Sequence, residues 1–354
     1  MKIAITADNH LTSQDRNSER FTAMEDILHR CVEFEVDILV IAGDLFDHAN
    51  PNYAEFETLY SEHAPPDLNT FIIPGNHDHN LTGKGFILDD VTVFTKPKVL
   101  SLENAEIQIL FLPFREGATM GEEIAPFSEE LVPHRWVLIS HGDWIKGEKY
   151  ADPYEPGTYM PLSKIDLDSY KPFQVFLGHI HRPSNYERVH YPGSPCPLDI
   201  TETGLRRFLI FDTQNGKITS HPVNSPILYE EETFLALPLE NELAYLESQI
   251  KERIHSWSIP EGWEDNVYVR VNVIGYTQNR ADILGSVNLH FAPYHFYNQE
   301  GPDLSKLNYV DDPDRAHLTR QVKNWVEELN WKTGSLYPGK DQILIEALKV
   351  VYGA

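Results

Sequence analysis

Residues 3–10 read IAITADNH, a short apolar stretch that passes directly into an Asp, an Asn and a His. A short apolar run rich in Ile predicts a buried strand, so the polar residues are expected at its carboxyl end. Ligands bind outside the carboxyl ends of strands in open α/β sheets, and further endings of this kind can therefore meet in one crevice. The same pattern recurs at 38–44 (ILVIAGD), 71–78 (FIIPGNHD), 137–143 (VLISHGD) and 175–181 (VFLGHIH).

The polar residues at the five endings are of the types that bind catalytic metals. Imidazole, amide and carboxylate groups without a thiolate suit Mn, Fe or Zn better than a structural zinc cage. Two cations about 3.5–4 Å apart need a shared ligand, and a carboxylate such as Asp44 can bridge them with its two oxygens. Spacing alone leaves the assignment of ligands to each metal open. We expect Asp8, His10 and His181 at one metal and Asn76, His141 and His179 at the other.

A two-metal site has the means to hydrolyse a phosphodiester. Water bound to dications loses its proton near neutral pH, and the same ions neutralise charge on the phosphoryl oxygens. The leaving alkoxide then needs a proton, and His77, next to the ligand Asn76, is the candidate general acid. Imidazole has an unperturbed pKa of about 6.5 and can donate if Asp78 keeps it charged. The alternative is that His77 is only a turn residue.

The order of these motifs resembles the calcineurin-like metallophosphoesterase family. Within it, the stretch 43–47 (GDLFD) with Pro51 and Ala54, and the stretch 191–195 (YPGSP) running to Leu198 and Glu202, resemble SbcD-like nuclease subunits of bacterial DNA-repair complexes. The resemblance covers residues 1–225 well. It implies an α/β fold, a β-sandwich flanked by helices, followed by a small α+β capping domain.

The chain departs from the family pattern at two positions. Ala7 stands where many phosphoesterases have Gly before the first Asp, although SbcD-like chains often lack that Gly. Asp47 stands where archaeal and eukaryotic relatives have a His, and the neighbouring His48 is not assumed to substitute for it. The second departure leaves open how a phosphate is positioned for exonuclease or endonuclease cutting.

The length of 354 residues predicts two domains, a nuclease domain at 1–225 and an α+β capping domain at 226–354. Apolar spacing predicts a crossover helix at Arg20–Glu33, and Asn215-Gly216 predicts a hairpin turn. The insertion 142–172 either overhangs the site or is a surface loop. In the second domain we expect helices at Asn241–His255, Ala316–Leu329 and Gln342–Val351 and a strand at Val267–Ile274.

The net charge of −25 opposes nucleic-acid binding by the chain alone. Residues 226–354 hold 20 acidic against 11 basic residues, and residues 1–225 hold 34 against 18. Either a basic partner supplies the affinity for DNA, or the substrate is not long DNA. Two cysteines, Cys31 and Cys196, suit a reducing compartment. No signal peptide or membrane-length apolar run is evident, so we expect a cytoplasmic protein.

Two features of the second domain allow an alternative to simple core packing. The final helix could dock on a partner or pack on its own domain. The tryptophans of the second domain could stack on unpaired bases or fill the core. The four tryptophans in question are Trp257, Trp263, Trp325 and Trp331.

The first functional hypothesis is a metal-dependent DNA nuclease subunit, exonuclease or endonuclease, that works with an SMC-like coiled-coil ATPase in end processing, repair or defence. It would use two divalent ions, Mn²⁺ first, with Fe²⁺, Zn²⁺ or Mg²⁺ as alternatives. The resemblance implies a homodimer formed by helices of the catalytic domain, for which Arg20–Glu33 and Tyr53–His63 are the candidate segments. The runner-up is a stand-alone phosphodiesterase or phosphatase acting on a small nucleotide. A catalytically silent scaffold is the third, and the complete ligand set argues against it.

Overall fold

The computed structural model describes residues 1–47, 52–102, 107–145, 157–311, 313–331 and 338–353. Residues Pro51 and His48 and the part of the insertion at 146–156 lie outside the described residues. The chain divides into two compact units, Met1–Leu228 and Tyr229–Ala354. No helix within the described ranges is both long and apolar enough to cross a bilayer.

The first unit is built from two six-stranded sheets with helices on their outer faces, and a separate two-stranded sheet pairs Trp144–Ile145 with Leu162–Ser163. Its helices are α1 (Gln14–Glu33), α2 (Tyr53–His63), α3 (Met120–Ile124) and α4 (Lys164–Tyr170). Its strands are β1 (Lys2–Thr6), β2 (Ile38–Ala42), β3 (Asn69–Ile73), β4 (Val91–Val93), β5 (Lys98–Ser101), β6 (Gln108–Leu112), β7 (Trp136–His141), β8 (Trp144–Ile145), β9 (Leu162–Ser163), β10 (Gln174–Gly178), β11 (Ser184–Tyr186), β12 (Val189–Tyr191), β13 (Arg207–Asp212) and β14 (Ile218–Pro222).

The five segments that end in metal-binding residue types are all strands, as the sequence predicts, but they are divided between the two sheets. The first sheet has the order β14-β13-β1-β2-β3-β4 and the second the order β11-β12-β10-β7-β6-β5. In the first, β1, β2 and β3 are parallel neighbours, and in the second β7 and β10 are parallel neighbours. Three strand endings therefore come from one sheet and two from the other.

Apolar side chains between the sheets hold them face to face. One buried cluster contains Ile5 and Val40 from the first sheet and Val137, Ile139 and Phe176 from the second. Each side chain of this size contributes about 1.5–3 kcal/mol when it is fully buried. This shared core fixes the sheets as a sandwich, so the two groups of strand endings lie against each other.

Helix α1 covers the outer face of the first sheet and is longer than predicted. The predicted apolar face is buried, as at Phe21, Ile27 and Cys31. The helix begins at Gln14 rather than at Arg20 because a polar first segment, without apolar periodicity, precedes a non-helical residue at Asn17 (φ −140°, ψ 64°). Periodicity identifies only the part of a helix that packs on a core.

The second unit is an α+β module. Its strands are β15 (Leu228–Ala236), β16 (Val267–Thr277), β17 (His295–Phe296) and β18 (Leu307–Tyr309), and its helices are α5 (Glu242–Ser256), α6 (Arg280–Phe291), α7 (Pro313–Glu328) and α8 (Lys340–Tyr352). The alternating valines of β16 are all fully buried on one face. Helix α6 was not expected from the sequence, because its apolar residues do not follow one stripe. Asn279 caps its first turn by accepting from the amides of Ala281 and Asp282.

Core packing accounts for part of the final helix and for one of the tryptophans of the second domain. In α8, Leu344 and Leu348 are buried with Tyr276 in the core of their own unit. Trp257 is 8% exposed and its indole N–H donates to Glu232 at 2.8 Å. By contrast, the side chain of Trp325 is 63% exposed.

Candidate metal centre

The backbone at the strand endings is held in the left-handed region. The φ values are 55° at Asp8, 47° at His10, 51° at Asp44 and 92° at His179. Such conformations cost about 1–3 kcal/mol each in residues other than glycine and are concentrated at functional sites. Asp8 N–H donates to the Gly43 carbonyl at 3.1 Å, which ties the ending of β1 to that of β2.

Three glycines allow the endings to approach one another closely. A Cβ added at Gly43 would lie 2.1 Å from His141 Nδ1, and one at Gly75 would lie 2.2 Å from Asp44 Oδ1. A Cβ at Gly178 would meet the Ala42 carbonyl oxygen at 2.2 Å. These contacts are too short for any other residue, so the motifs require glycine at these positions for space.

Two histidines from different sheets face each other in the first ligand cluster. The Nε2 atoms of His10 and His181 lie 3.1 Å apart, and a carboxylate oxygen of Asp8 completes a group within 4.8 Å. The other nitrogen of each ring meets a carboxylate, Asp47 Oδ1 at 3.2 Å and Glu202 Oε1 at 2.7 Å. When both Nδ1–H groups donate to these carboxylates, two Nε2 lone pairs point at one another. A cation between them removes that repulsion.

The second cluster is a convergence of acceptors around His141. Its Nε2 lies 2.8 Å from Asn76 Oδ1 and 3.2 Å from Asp44 Oδ2, while its Nδ1 lies 3.0 Å from the Ala42 carbonyl oxygen. His179 Nδ1 lies 3.2 Å from the same Asn76 oxygen. Donation from Nδ1 to Ala42 leaves Nε2 as a lone pair among oxygens, an arrangement that a metal satisfies.

Asp44 lies between the two clusters. Its Oδ2 is 3.2 Å from His141 Nε2 and 3.8 Å from His10 Nε2. A carboxylate within reach of both ring systems has the position that a bridging ligand needs. Asp8 Oδ2 is also buried without accepting a hydrogen bond from the described residues, which fits a metal ligand. The structure brings together all seven predicted ligands, Asp8, His10, Asp44, Asn76, His141, His179 and His181.

The carboxylates of the centre favour the protonated forms of two of its histidines. Burial alone would lower the pKa of His141, but the Asp44 carboxylate raises it to about 10. Burial likewise disfavours the charged form of His181, and the hydrogen bond to Glu202 raises its pKa to about 9. Burial would raise the pKa of Asp44, but His141 holds it well below its ordinary value. Metal binding must therefore displace protons from these imidazoles.

His77 lies at the edge of this centre. Its backbone N–H donates to Asp44 Oδ1 at 2.9 Å, and its ring stands edge-on to the ring of His10 at 4.8 Å between centroids. Its Nδ1 is 3.1 Å from the Asp47 carbonyl oxygen. The side chain is half-buried. This position is compatible with proton donation beside the metals, and the general-acid role stays a prediction.

Asp78 connects two loops of the centre. Its Oδ1 accepts from the Gly75 N–H at 2.7 Å and its Oδ2 from the Phe46 N–H at 3.2 Å. Burial, and then the nearby Asp44 charge, raise the pKa of this carboxyl to about 7. These contacts hold the loop after β3 against the loop after β2. That Asp78 keeps His77 charged stays a prediction.

Sequence reasoning did not assign a role to Glu202, which orients His181. Both Ser194 Oγ, at 2.9 Å, and the Leu198 N–H, at 3.1 Å, donate to its Oε2, and Arg206 Nη1 lies 3.6 Å from the same oxygen. Burial would raise its pKa, but His181 lowers it to about 2. The signal was present in the motif from 191 to 202, whose residues wrap around this carboxylate. Arg206 is fully buried and had no comparable signal.

Three of the known proteins that this chain resembles in sequence have comparable identity but differ in coverage. The chain is 27% identical to the uncharacterized metallophosphoesterase YhaO of Bacillus subtilis over 218 residues, 56% of this chain and 51% of that protein. It is 27% identical to the SbcD subunit of the nuclease SbcCD of Escherichia coli over 322 residues, 75% of this chain and 77% of that relative. It is 28% identical to the DNA double-strand break repair protein Mre11 of Methanopyrus kandleri over 233 residues, 57% of this chain and 50% of that protein.

The matches span about half of the Bacillus and Methanopyrus proteins and about three quarters of the Escherichia protein. The resemblance predicted from the strand-ending motifs is confirmed. Residues 1–202, more than half of the chain, match the family described as calcineurin-like phosphoesterase. The chain belongs to the calcineurin-like phosphoesterase family.

Proposed function

We propose that the chain is a two-metal phosphodiesterase that cuts DNA as a nuclease subunit. The observation that carries this proposal is the pair of ligand clusters joined by Asp44, a ligand set suited to two divalent ions in a family of phosphoesterases. The match to the Escherichia nuclease supports DNA as the substrate, since it covers 75% of this chain and therefore extends beyond the first unit, Met1–Leu228.

When bound, two dications supply a lowered water pKa and neutralise phosphoryl charge. The residues of the chain hold and orient the ligands. Asp47 and Glu202 fix the rings of His10 and His181 through their Nδ1 atoms, which leaves Nε2 for the metal. Asp44 reaches both clusters and would set their separation.

His77 would give the leaving alkoxide its proton. Donation from its Nδ1–H to the Asp47 carbonyl supports the imidazolium form and leaves a second N–H for the substrate. The charge of Asp44, which accepts from the His77 backbone, favours the same form. Nδ1 is held by a carbonyl, so Nε2 is the nitrogen that would donate.

The charge of −25 requires help in binding DNA. We propose that an SMC-like coiled-coil ATPase supplies a basic surface and presents DNA ends, as an SbcC-like partner of this chain. Homodimerisation, Mn²⁺ as the working metal, a cytoplasmic location and a capping role for the second unit belong to the same proposal. Its role would be in end processing, repair or defence.

The net charge of −25 favours one other function, that of a stand-alone phosphodiesterase acting on a small nucleotide or another phosphorylated molecule. Such a substrate carries few charges and is repelled less than long DNA. It would use the same centre and the same ligands. The two functions differ only in what reaches the metals.

The purified chain in Mn²⁺ tests both functions. We would assay the wild type and Asp44→Ala for cleavage of linear DNA, hairpin-ended DNA and bis-p-nitrophenyl phosphate. Cleavage of DNA and of the small ester by the wild type, with neither cut by the variant, supports the nuclease. Cleavage of the small ester alone, unchanged when a coiled-coil ATPase encoded beside this chain is added, supports the second function. Equal activity in Asp44→Ala contradicts both.

A further inference from the structure

Helices α1 and α2 bring together a second group of metal-binding side chains, separate from the seven ligands. Glu25 and His29 lie one turn apart on α1, and His63 is the last residue of α2. His29 Nε2 is 3.0 Å from His63 Nδ1, and Glu25 Oε1 is 3.8 Å from the same nitrogen. All three ligand atoms lie within 4.8 Å of one another.

These separations match a tetrahedral metal. Ligand bonds of about 2.0–2.1 Å at tetrahedral angles place ligand atoms roughly 3.3 Å apart. The measured 3.0 and 3.8 Å bracket that value. The opposed ring nitrogens also repeat the arrangement of His10 and His181 in the main centre, where Nε2 atoms lie 3.1 Å apart.

The types of ligand favour zinc over calcium and magnesium. Two imidazoles with one carboxylate form the His₂Glu set that zinc accepts in open, three-ligand sites. Calcium and magnesium prefer oxygen ligands and would not use the two rings. Glu62 Oε2 lies 3.8 Å from His63 Nε2, on the side of the ring away from the cluster, where carboxylates orient metal-bound histidines.

The helices that carry the cluster already share a core. Ile27 and Leu28 of α1 and Leu59 and Tyr60 of α2 belong to one buried cluster. The side chain of His63 is 24% exposed and that of Glu25 37%, so the group is open to solvent and can load without unfolding. A metal here would tie the end of α2 to the middle of α1.

We propose that Glu25, His29 and His63 bind one zinc ion that joins α1 to α2, independently of the phosphoesterase centre. Zinc bound only by the folded chain would raise its stability by mass action. The alternative is a simple N–H···N hydrogen bond between the two rings, for which Glu25 is not required.

The test is the zinc content of the intact chain after dialysis against Zn²⁺, measured as ions per chain by elemental analysis. We expect the His29→Gln, His63→Gln double variant to hold one zinc fewer than the wild type. The matched control, His255→Gln with His317→Gln, also removes two histidines, both of them exposed, and should keep the wild-type content. An unchanged zinc content in the first double variant, or an equal loss in both, overturns the proposal.

A single variant, Glu25→Gln, removes one proposed ligand and keeps both imidazole rings. It therefore tests the site with a smaller change to the packing of α1 on α2. Even loss of an outer-shell partner costs about 10–100-fold in affinity, so loss of a direct ligand should weaken this zinc by about tenfold or more. Circular dichroism in chelator checks that the variants are folded. Unchanged affinity in Glu25→Gln would leave the hydrogen-bonded pair as the explanation. The readout is bound zinc rather than cleavage, so it is independent of whether the chain cuts DNA.

Discussion

The Nε2 atoms of His10 and His181 lie 3.1 Å apart although the residues are 171 positions apart in the chain. Each ring is oriented from behind by a carboxylate, Asp47 for the first and Glu202 for the second. These carboxylates decide which nitrogen of each ring carries the proton. The geometry of the proposed ligands therefore depends on two residues outside the ligand set.

Substituting Glu202→Gln should weaken metal binding by about 10–100-fold, because the amide loses the charge that orients and polarises His181. Isothermal titration of the apo chain with Mn²⁺ measures this. Glu129→Gln, an exposed change in the same unit, is the control and should titrate like the wild type. Wild-type affinity in Glu202→Gln would show that His181 needs no carboxylate partner.

Substituting His77→Asn should leave metal content unchanged and lower turnover roughly 10²–10⁴-fold, the usual contribution of a general acid. The ratio of metal to protein and the rate on bis-p-nitrophenyl phosphate are measured on the same sample. His255→Asn serves as the control. Undiminished turnover in His77→Asn would make His77 only a turn residue, and loss of metal would make it a ligand.

Gly43→Ala should disrupt the centre, because the added Cβ would lie 2.1 Å from His141 Nδ1 on a backbone already at φ 91°. We expect weaker metal binding and a lower Tm. Gly285→Ala adds the same atom in α6, where nothing lies within 4 Å, and should preserve both. A Gly43→Ala chain that binds metal normally would mean that the strand endings can move apart.

Neither cysteine should react with a thiol reagent in the folded chain. Burial raises the pKa of both Cys31 and Cys196 to about 12, and the side chains are at most 1% exposed. The thiolate that would react is therefore scarce and inaccessible. Titration with dithiobis-nitrobenzoate should show two thiols in denaturant and none without it. A fast-reacting thiol in the native chain would contradict this burial.

Protonation of His190 should make the chain less stable in mild acid. Burial, and then Arg207, lower the pKa of this histidine to about 4 in the folded state. The unfolded chain, with a pKa of about 6.5, then binds the proton more readily, so stability is complete above that pH and falls as the pH drops toward 4. The loss is at most about 3 kcal/mol. Between pH 7 and pH 4.5 the denaturant midpoint should fall further in the wild type than in His190→Asn. The control His255→Asn should show the same fall as the wild type.

Much of the centre could be predicted because each ligand follows directly from a strand. The apolar runs define β1, β2, β3, β7 and β10 without any knowledge of pairing. Their division between two sheets could not be derived from the runs, since periodicity carries no information on which strands pair. The β-sandwich was instead implied by the family resemblance.

Hydrophobic periodicity did not predict the start of α1, helix α6 or the role of Glu202, because none of them shows a regular apolar pattern in the sequence. Asn17 breaks α1 through its backbone alone. In α6, the exposed Leu284 and Leu289 obscure the apolar face that is buried at Ile283, Val287 and Phe291. Glu202 acts through a contact with His181, 21 positions earlier, which no local pattern records. Local signals identify elements and the residues at their ends, and long-range contacts decide how those residues are oriented.

Each ligand cluster is shared between the sheets of the sandwich. Asp8, His10, Asp44 and Asn76 follow strands of the first sheet, and the three other histidines follow strands of the second. The thickness of the apolar layer between the sheets therefore sets the distance between the residues that the two sheets contribute to each cluster. A change of side-chain volume at Phe176 or Val40, in that layer, should therefore alter the distance between the proposed ligands, although neither residue belongs to the ligand set.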